Sequence, residues 1–253
     1  KSSTRTRVSF EVGINQLGGY AVVLASEGSQ IGRGEPVQDT ARVLSRYVDG
    51  IMIRTFEQKE VEDFARYGSV PVINGLTDFC HPCQILADLM TIREYKGSFD
   101  GLKMCFIGDG NNMMNSLIVG CLKVGMAVSV ACPEGYRPPQ EILDFAGAYD
   151  CFELTDDPLT AAKDADVVIA DVRPWMGEEE ETAAREKAFA GYCVDDRIMA
   201  AAKPDAIVQH CLPAHRGEEI TEAVFEANAA PIFDEAENRL HAQKAVMVML
   251  MKD

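Results

Sequence analysis

The sequence lacks any apolar run that approaches the roughly 20 residues of a membrane-spanning helix, and it is poor in basic residues. Lysine and arginine total 24 against 40 aspartate and glutamate residues, a formal net charge of -16 at pH 7. Such a chain repels nucleic acid and anionic membranes, so a bound anion must be held by local arginine side chains. We therefore predict a soluble protein that binds neither nucleic acid nor a membrane.

The eight cysteines lack the spacing of a disulfide framework. Only Cys80 and Cys83 lie close together, and a chain of 253 residues can bury a core without disulfides. We therefore expect reduced thiols and a cytoplasmic location. The C-x-x-C spacing could also mark a redox pair or half of a zinc site, but no second such cluster accompanies it. Our interpretation includes no metal and no cofactor.

Apolar runs alternate with segments of helical periodicity, which is typical of βα units in a parallel sheet. The predicted fold class is α/β, with two doubly wound parallel-sheet lobes, a cleft between them and a C-terminal helix that returns to the first lobe. The first domain is expected at residues 1–82, completed by 238–253, with a linking helix at 83–96 and the second domain at 97–237. The predicted strands include 20–24, 50–53, 70–73, 127–131, 165–171 and 206–211.

The first seven residues, K-S-S-T-R-T-R, place hydroxyl and guanidinium groups before a helix predicted at 8–17. A helix N-terminus has unpaired N–H groups and the positive end of the helix dipole, so added hydroxyl and arginine donors favour a phosphate site. The alternative is that Ser3 or Thr4 only caps the helix while the arginines are solvated. Because the chain has no initiator methionine and starts within this motif, we expect an N-terminal segment, with any targeting peptide, to be missing.

Histidine is scarce, and the four histidines fall within polar motifs. Polar or reactive residues also follow five predicted strands, where ligands bind to parallel sheets. They are Arg54, His81, Asp109 to Asn112, Asp171 and Cys211. This placement predicts a site formed by the carboxyl ends of the strands.

Five motifs, in the same order and over essentially the whole chain, resemble those of the aspartate/ornithine carbamoyltransferase family. They are K-S-S-T-R-T-R, H-P-C-Q-I-L-A-D, G-D-G-N-N, H-C-L-P-A-H-R-G-E-E and D-E-A-E-N-R. The H-C-L-P element resembles the ornithine branch, since the aspartate branch has H-P-L-P. The resemblance implies carbamoyl transfer from carbamoyl phosphate to the δ-amine of L-ornithine, giving L-citrulline and phosphate in arginine metabolism. It also implies a homotrimer, or a multiple of trimers, of two-domain subunits.

The resemblance further implies which residues contact each substrate. The residues expected to bind carbamoyl phosphate are Ser3, Thr4, Arg5, Thr6, Gln30, Arg54, His81, Gln84, Cys211, Leu212 and Arg239, with Gln30 reaching into a neighbouring subunit. Those expected to bind ornithine are Asn112, Asp171, Trp175 and Met176. The catalytic set is Arg54, His81, Asp171 and Cys211. Asp109 and Gly110 are interpreted as turn residues.

The acceptor segment departs from the family pattern. Ornithine enzymes have D-V-W-x-S-M-G where this chain has D-V-R-P-W-M-G at 171–177, so Trp175 replaces a serine beside the ornithine α-amino group. An indole donates but does not accept a hydrogen bond, which leaves open another acceptor such as putrescine or a modified ornithine. A dinucleotide-binding or redox module is a more remote alternative, because G-D-G-N-N lacks the third glycine of G-x-G-x-x-G.

Overall fold

The computed structural model describes residues 1, 3–25, 34–171 and 179–251. These residues form two compact units, Lys1–Cys83 with Arg239–Asp253 (unit 1) and Gln84–Asn238 (unit 2). The helices are α1 Thr4–Gln16, α2 Val37–Leu44, α3 Gln58–Tyr67, α4 Pro82–Lys96, α5 Asn112–Lys123, α6 Gln140–Ala146, α7 Pro158–Ala162, α8 Glu179–Ala188, α9 Asp196–Ala201, α10 Glu222–Ala227 and α11 Ala229–Met251. The strands are β1 Ile51–Arg54, β2 Val72–Leu76, β3 Lys103–Ile107, β4 Ala127–Ala131, β5 Phe152–Thr155, β6 Val167–Ala170 and β7 Ile207–His210.

Unit 1 contains a parallel pair of strands, β1 and β2, and the C-terminal part of α11. Phe10 of α1 and Met247 of α11 share a small core with Ile73 and Cys83. Gly13 permits this close packing, because a Cβ atom there would lie 3.1 Å from the terminal methyl of Met247. The expected return of the C-terminal helix to the first lobe is thus confirmed.

Unit 2 contains a five-stranded parallel sheet in the order β5-β4-β3-β6-β7. The buried strands are rich in β-branched and other apolar residues, as expected when both faces of a parallel sheet are covered. The strand order runs outward in both directions from β3, so β3 and β6 flank the topological switch point, where α/β sheets bind ligands. The predicted α/β class with parallel sheets is confirmed, and the sheet brings the loops after β3 and β6 side by side.

Several details of the sequence-based prediction differ from the structure. Residues 20–24 form no strand, and Tyr20 and Val22 are exposed, because a strand requires a pairing partner and no described strand pairs with this segment. The last helix begins at Ala229 rather than 238, since Pro231 in its first turn needs no intrahelical N–H bond. The short strand β5 was not predicted.

No helix within the described residues combines the length and the apolar character needed to cross a membrane. All eight cysteines are free. The candidate functional residues lie mainly at the strand ends and helix termini.

Candidate active site

The helix that carries the first motif begins earlier than predicted. α1 starts at Thr4, inside the motif, and Ser3 is its N-cap, whose hydroxyl accepts the Thr6 N–H at 3.2 Å. The capping interpretation is therefore right for Ser3, and it is compatible with anion binding, because capping fixes the helix N-terminus that attracts an anion. Thr4 and Arg5 lie on the exposed first turn.

Thr6 is buried and links two arginines from distant parts of the sequence. Its hydroxyl oxygen accepts from Nη1 of Arg54 at 3.3 Å and from Nη2 of Arg239 at 3.2 Å. Two acceptor positions are thereby used, which directs the hydroxyl hydrogen outward as a donor. Arg54 ends β1 and Arg239 lies on α11, so the fold of unit 1 concentrates positive charge beside the N-terminus of α1.

His81 lies in the same unit and is buried. Burial, followed by the charges of Arg239 and Arg54, holds its pKa well below the usual 6.5. A neutral imidazole can donate one hydrogen bond without adding a third full charge. The structure therefore groups four predicted residues of unit 1, namely Thr6, Arg54, His81 and Arg239, in one cationic region.

The neighbouring cysteines do not have the properties of a redox or metal site. Burial is the main cause of a raised pKa at both Cys80 and Cys83, and it brings the Cys83 pKa to about 11. Cys83 donates its thiol hydrogen to the carbonyl of Asn74 at 3.3 Å. Because reactive and ligating cysteines are thiolates, these two protonated groups are structural.

Asp171 and Cys211 meet in unit 2, as the strand-end argument predicted. Asp171 follows β6 and Cys211 follows β7, and the Cys211 thiol donates to Oδ1 of Asp171 at 2.8 Å. The pKa of Cys211 is raised well above its usual value, first by burial and then by the charge of Asp171 and the hydrogen bond to it. Cys211 is therefore a neutral thiol beside a carboxylate.

Asn111 completes this arrangement, although the sequence analysis assigned function only to Asn112. Its amide nitrogen donates to Oδ2 of Asp171 at 2.7 Å, while its amide oxygen caps α5 by accepting the N–H groups of Met113 and Met114. Asn112 is the first residue of α5. The preceding Gly110 is required sterically, because a Cβ atom there would lie 2.4 Å from the neighbouring main chain.

Gln84 lies on α4 and is buried within unit 2. Its amide nitrogen donates to Asp88 and Glu235, at 2.8 Å in both cases. Glu235 also accepts the main-chain N–H of His210 at 2.8 Å. This buried network connects Gln84 to the strand that precedes Cys211.

A fully buried pair, His210 and Glu219, was missed by the sequence analysis. Nε2 of His210 lies 3.1 Å from Oε1 of Glu219, and neither side chain is exposed. The sequence offered one signal, the E-E pair that ends H-C-L-P-A-H-R-G-E-E, but no periodicity connects a loop glutamate with a strand histidine. The pair lies at the base of the loop that carries Cys211 and Leu212.

Within the described ranges, His215, Glu218 and Glu219 are the one group whose atoms lie close enough for a shared metal ion. One Glu219 oxygen already accepts from His215 N–H and contacts His210, so we assign no metal there. Three predicted residues, Gln30, Trp175 and Met176, lie outside the described residues.

The two units match two family models. The carbamoyl-P binding domain of aspartate/ornithine carbamoyltransferases matches residues 1–94, and the Asp/Orn binding domain matches residues 100–250. The chain is 58% identical over 254 residues to an ornithine carbamoyltransferase of Geobacter metallireducens, covering 100% of this chain and 84% of the relative.

Solved structures agree with this match. An ornithine carbamoyltransferase from Pyrococcus furiosus superposes with a TM-score of 0.94 at 52% identity, over 99% of this chain and 82% of that one. The anabolic ornithine carbamoyltransferase from Campylobacter jejuni gives 0.93 at 44% identity, over 99% and 84%. The chain belongs to the aspartate/ornithine carbamoyltransferase family, and its motifs and relatives place it with the ornithine enzymes.

Proposed function

We propose that this protein transfers the carbamoyl group of carbamoyl phosphate to the δ-amine of L-ornithine, giving L-citrulline and phosphate. The observation that carries the acceptor assignment is the Asp171 carboxylate, with Cys211 and Asn111 as its donors, in the unit that matches the Asp/Orn binding domain. An anionic carboxylate attracts the cationic amino groups of ornithine and repels the second carboxylate of aspartate.

The cationic region of unit 1 fits carbamoyl phosphate. Thr6 is oriented by Arg54 and Arg239 to donate its hydrogen to a phosphate oxygen, and the N-terminus of α1 with Ser3, Thr4 and Arg5 contributes further donors. We assign Arg54 and the neutral His81 to the carbonyl oxygen, where they stabilise the negative charge that develops during attack. A neutral histidine suits this role, because it donates a hydrogen bond and keeps its proton.

The acceptor must lose a proton before it can attack. A free alkyl amine with a pKa near 10.4 is neutral in only about one molecule in 2,500 at pH 7, which costs roughly 4 to 5 kcal/mol. Asp171 accepts a hydrogen bond from the ammonium, orients it and takes up the proton that it loses, while Cys211 stays a thiol.

The chemical step then forms one bond and breaks another. The δ-nitrogen lone pair attacks the carbamoyl carbon, the bond from that carbon to the bridging oxygen breaks, and the electron pair leaves on phosphate. Arg239 and Thr6 stabilise the departing phosphate, which gains charge on the bridging oxygen. After the carbon–nitrogen bond has formed, the second amine proton passes to the departing phosphate, and the product is a neutral ureido group.

A colorimetric ureido assay tests this function. The protein is incubated with carbamoyl phosphate and ornithine, and citrulline is measured against Asp171→Asn, which keeps the shape of the side chain and removes its charge. We expect citrulline from the parent and a loss of roughly 100-fold or more in the variant, the typical contribution of a positioned acid or base. A parent that folds but forms no citrulline would show that the assignment is wrong.

We further propose that the protein is a homotrimer in the cytoplasm, with Gln30 contributing to a neighbouring subunit's site. The family resemblance supports the trimer, and the eight free thiols support a reducing compartment. An anion site on a chain of net charge -16 gains from donors supplied by a neighbour. Light scattering should report three chains per particle, while a fully active monomer would remove the role of Gln30.

A further inference from the structure

The loop after β7 contains a main-chain conformation that needs support. Leu212 has φ +57°, in the left-handed region that side chains other than glycine, asparagine and aspartate rarely adopt. A leucine stays in such a conformation only when its surroundings hold it there. The family resemblance implies that this same main chain, at Cys211 and Leu212, lies near the carbamoyl nitrogen.

The His210 ring holds the strained residue directly. The Leu212 N–H donates to Nδ1 of His210 at 2.9 Å, so Nδ1 must be without a proton. The ring proton of neutral His210 is therefore on Nε2, and it points to Oε1 of Glu219. One backbone bond thus determines the tautomer of a histidine whose side chain is fully buried.

Glu219 connects the two ends of the loop. The oxygen that contacts His210 also accepts the main-chain N–H of His215 at 2.6 Å. The main-chain N–H of His210 is itself held by Glu235 at 2.8 Å. Glu219 therefore contacts both ends of the loop from 210 to 215, and Glu235 holds the main chain at its first residue.

A buried carboxylate is an expensive way to gain stability alone. Removing such a charge from water costs several kcal/mol, and an apolar side chain of similar volume often stabilises as well. The presence of Glu219 at this position is better explained by the geometry that it imposes on the loop than by a gain in stability.

We propose that His210 and Glu219 are positioning residues that hold the main chain of Cys211 and Leu212 in the conformation used for carbamoyl transfer. Neither residue touches the substrate; each acts through the loop. This proposal rests on the proposed function and on the contact with the carbamoyl group that the family resemblance implies for this loop.

Two substitutions of Glu219 separate geometry from charge. Glu219→Gln keeps an oxygen that accepts from both His210 and the His215 N–H, whereas Glu219→Leu removes it at similar volume. The matched control is Glu218→Gln, at the half-buried neighbouring residue. We expect Glu219→Leu to lower kcat roughly 100-fold, because a misplacement of about 1 Å has an effect of this size. The assay is run well below the melting temperature of the variant, so that the loss is not due to unfolding. Glu219→Gln should stay within about threefold of the parent and the control within about twofold, since their loop geometry is kept.

Two further readouts do not depend on turnover. In protein labelled with 15N-histidine, the ring resonances assigned through His210→Gln should show the Nε2-protonated tautomer in the parent and its loss in Glu219→Leu. Alkylation of Cys211 by iodoacetamide, followed by peptide mass spectrometry, should be slow in the parent and accelerate at least tenfold in Glu219→Leu, because the thiol would leave Asp171.

A purely structural pair gives a different pattern. A Glu219→Leu protein with a lower melting temperature but unchanged kcat, tautomer and Cys211 alkylation would overturn the proposal. An equal loss of kcat in Glu219→Gln, with its loop intact by alkylation, would overturn it as well. If the parent makes no citrulline while alkylation and tautomer behave as expected, the proposed function fails and the loop geometry stands, so the two failures are distinguishable.

Discussion

Thr6→Val tests the anion site of unit 1 with little change in shape. Valine is close to threonine in volume but cannot accept from Arg54 and Arg239, and it offers no hydrogen to a phosphate oxygen. A hydrogen bond to a charged group contributes about 1.5 to 3 kcal/mol, so we expect the substrate analogue to bind about 10- to 150-fold more weakly. The loss of binding free energy exceeds that of one hydrogen bond if the guanidinium groups of Arg54 and Arg239 also lose their orientation.

Calorimetric titration with phosphonoacetamide, in which a methylene replaces the bridging oxygen of carbamoyl phosphate, measures this affinity without turnover. Thr6→Ser is the matched control, because it keeps the hydroxyl and loses only a methyl group, and it should bind within about threefold of the parent, a difference of less than 1 kcal/mol. The reasoning is refuted if the valine variant binds like the parent, or if the serine variant is equally weak while both remain folded by circular dichroism.

Four other predictions concern further residues of the proposed site. Arg5→Ala should weaken phosphonoacetamide binding by about 1.5 to 3 kcal/mol. A change in Kd of less than twofold in calorimetry would show that the motif only caps α1 and does not bind phosphate. His81 has a lowered pKa in the folded state, so the unfolded chain binds its proton first as pH falls below 6.5; stability should therefore decrease toward pH 5.5, and thermal melts should show a smaller decrease in His81→Gln. Asp171→Asn removes two causes of the high Cys211 pKa, so the alkylation of Cys211 should begin at lower pH than in the parent; an unchanged pH profile would separate the two side chains. Trp175→Ser should change the rate of citrulline formation from ornithine only modestly, and the rates of carbamoylation of putrescine and lysine are measured beside it in both proteins. A large gain for ornithine in the variant, from a nearly inactive parent, would show that the chain serves another amine.

The sequence was most informative where local pattern and chemistry coincide. The apolar runs at 165–171 and 206–211 predicted β6 and β7, and because parallel strands end at one edge, Asp171 and Cys211 were expected together. The structure brings them into hydrogen-bond contact. This prediction required only that the two strands be neighbours in a parallel sheet, and it did not depend on long-range side-chain packing.

The failures share a physical cause. Residues 20–24 have the composition of a strand, but strand formation depends on a partner that periodicity does not reveal. The bond from Asn111 to Asp171 and the pair of His210 with Glu219 depend on which side chains the folded loops bring together. Composition and spacing identify such residues as polar, but only the folded main chain shows their partners.

The most direct test of the central claim is the ratio of kcat/KM for ornithine to that for aspartate, with carbamoyl phosphate as the common donor. The proposed role of Asp171 predicts that ornithine is carbamoylated efficiently and aspartate at most at a trace rate, and that Asp171→Asn lowers the ornithine value far more than the aspartate value. Comparable values for the two acceptors in the parent, or a preference for aspartate, would contradict the proposal that this carboxylate selects a cationic amine.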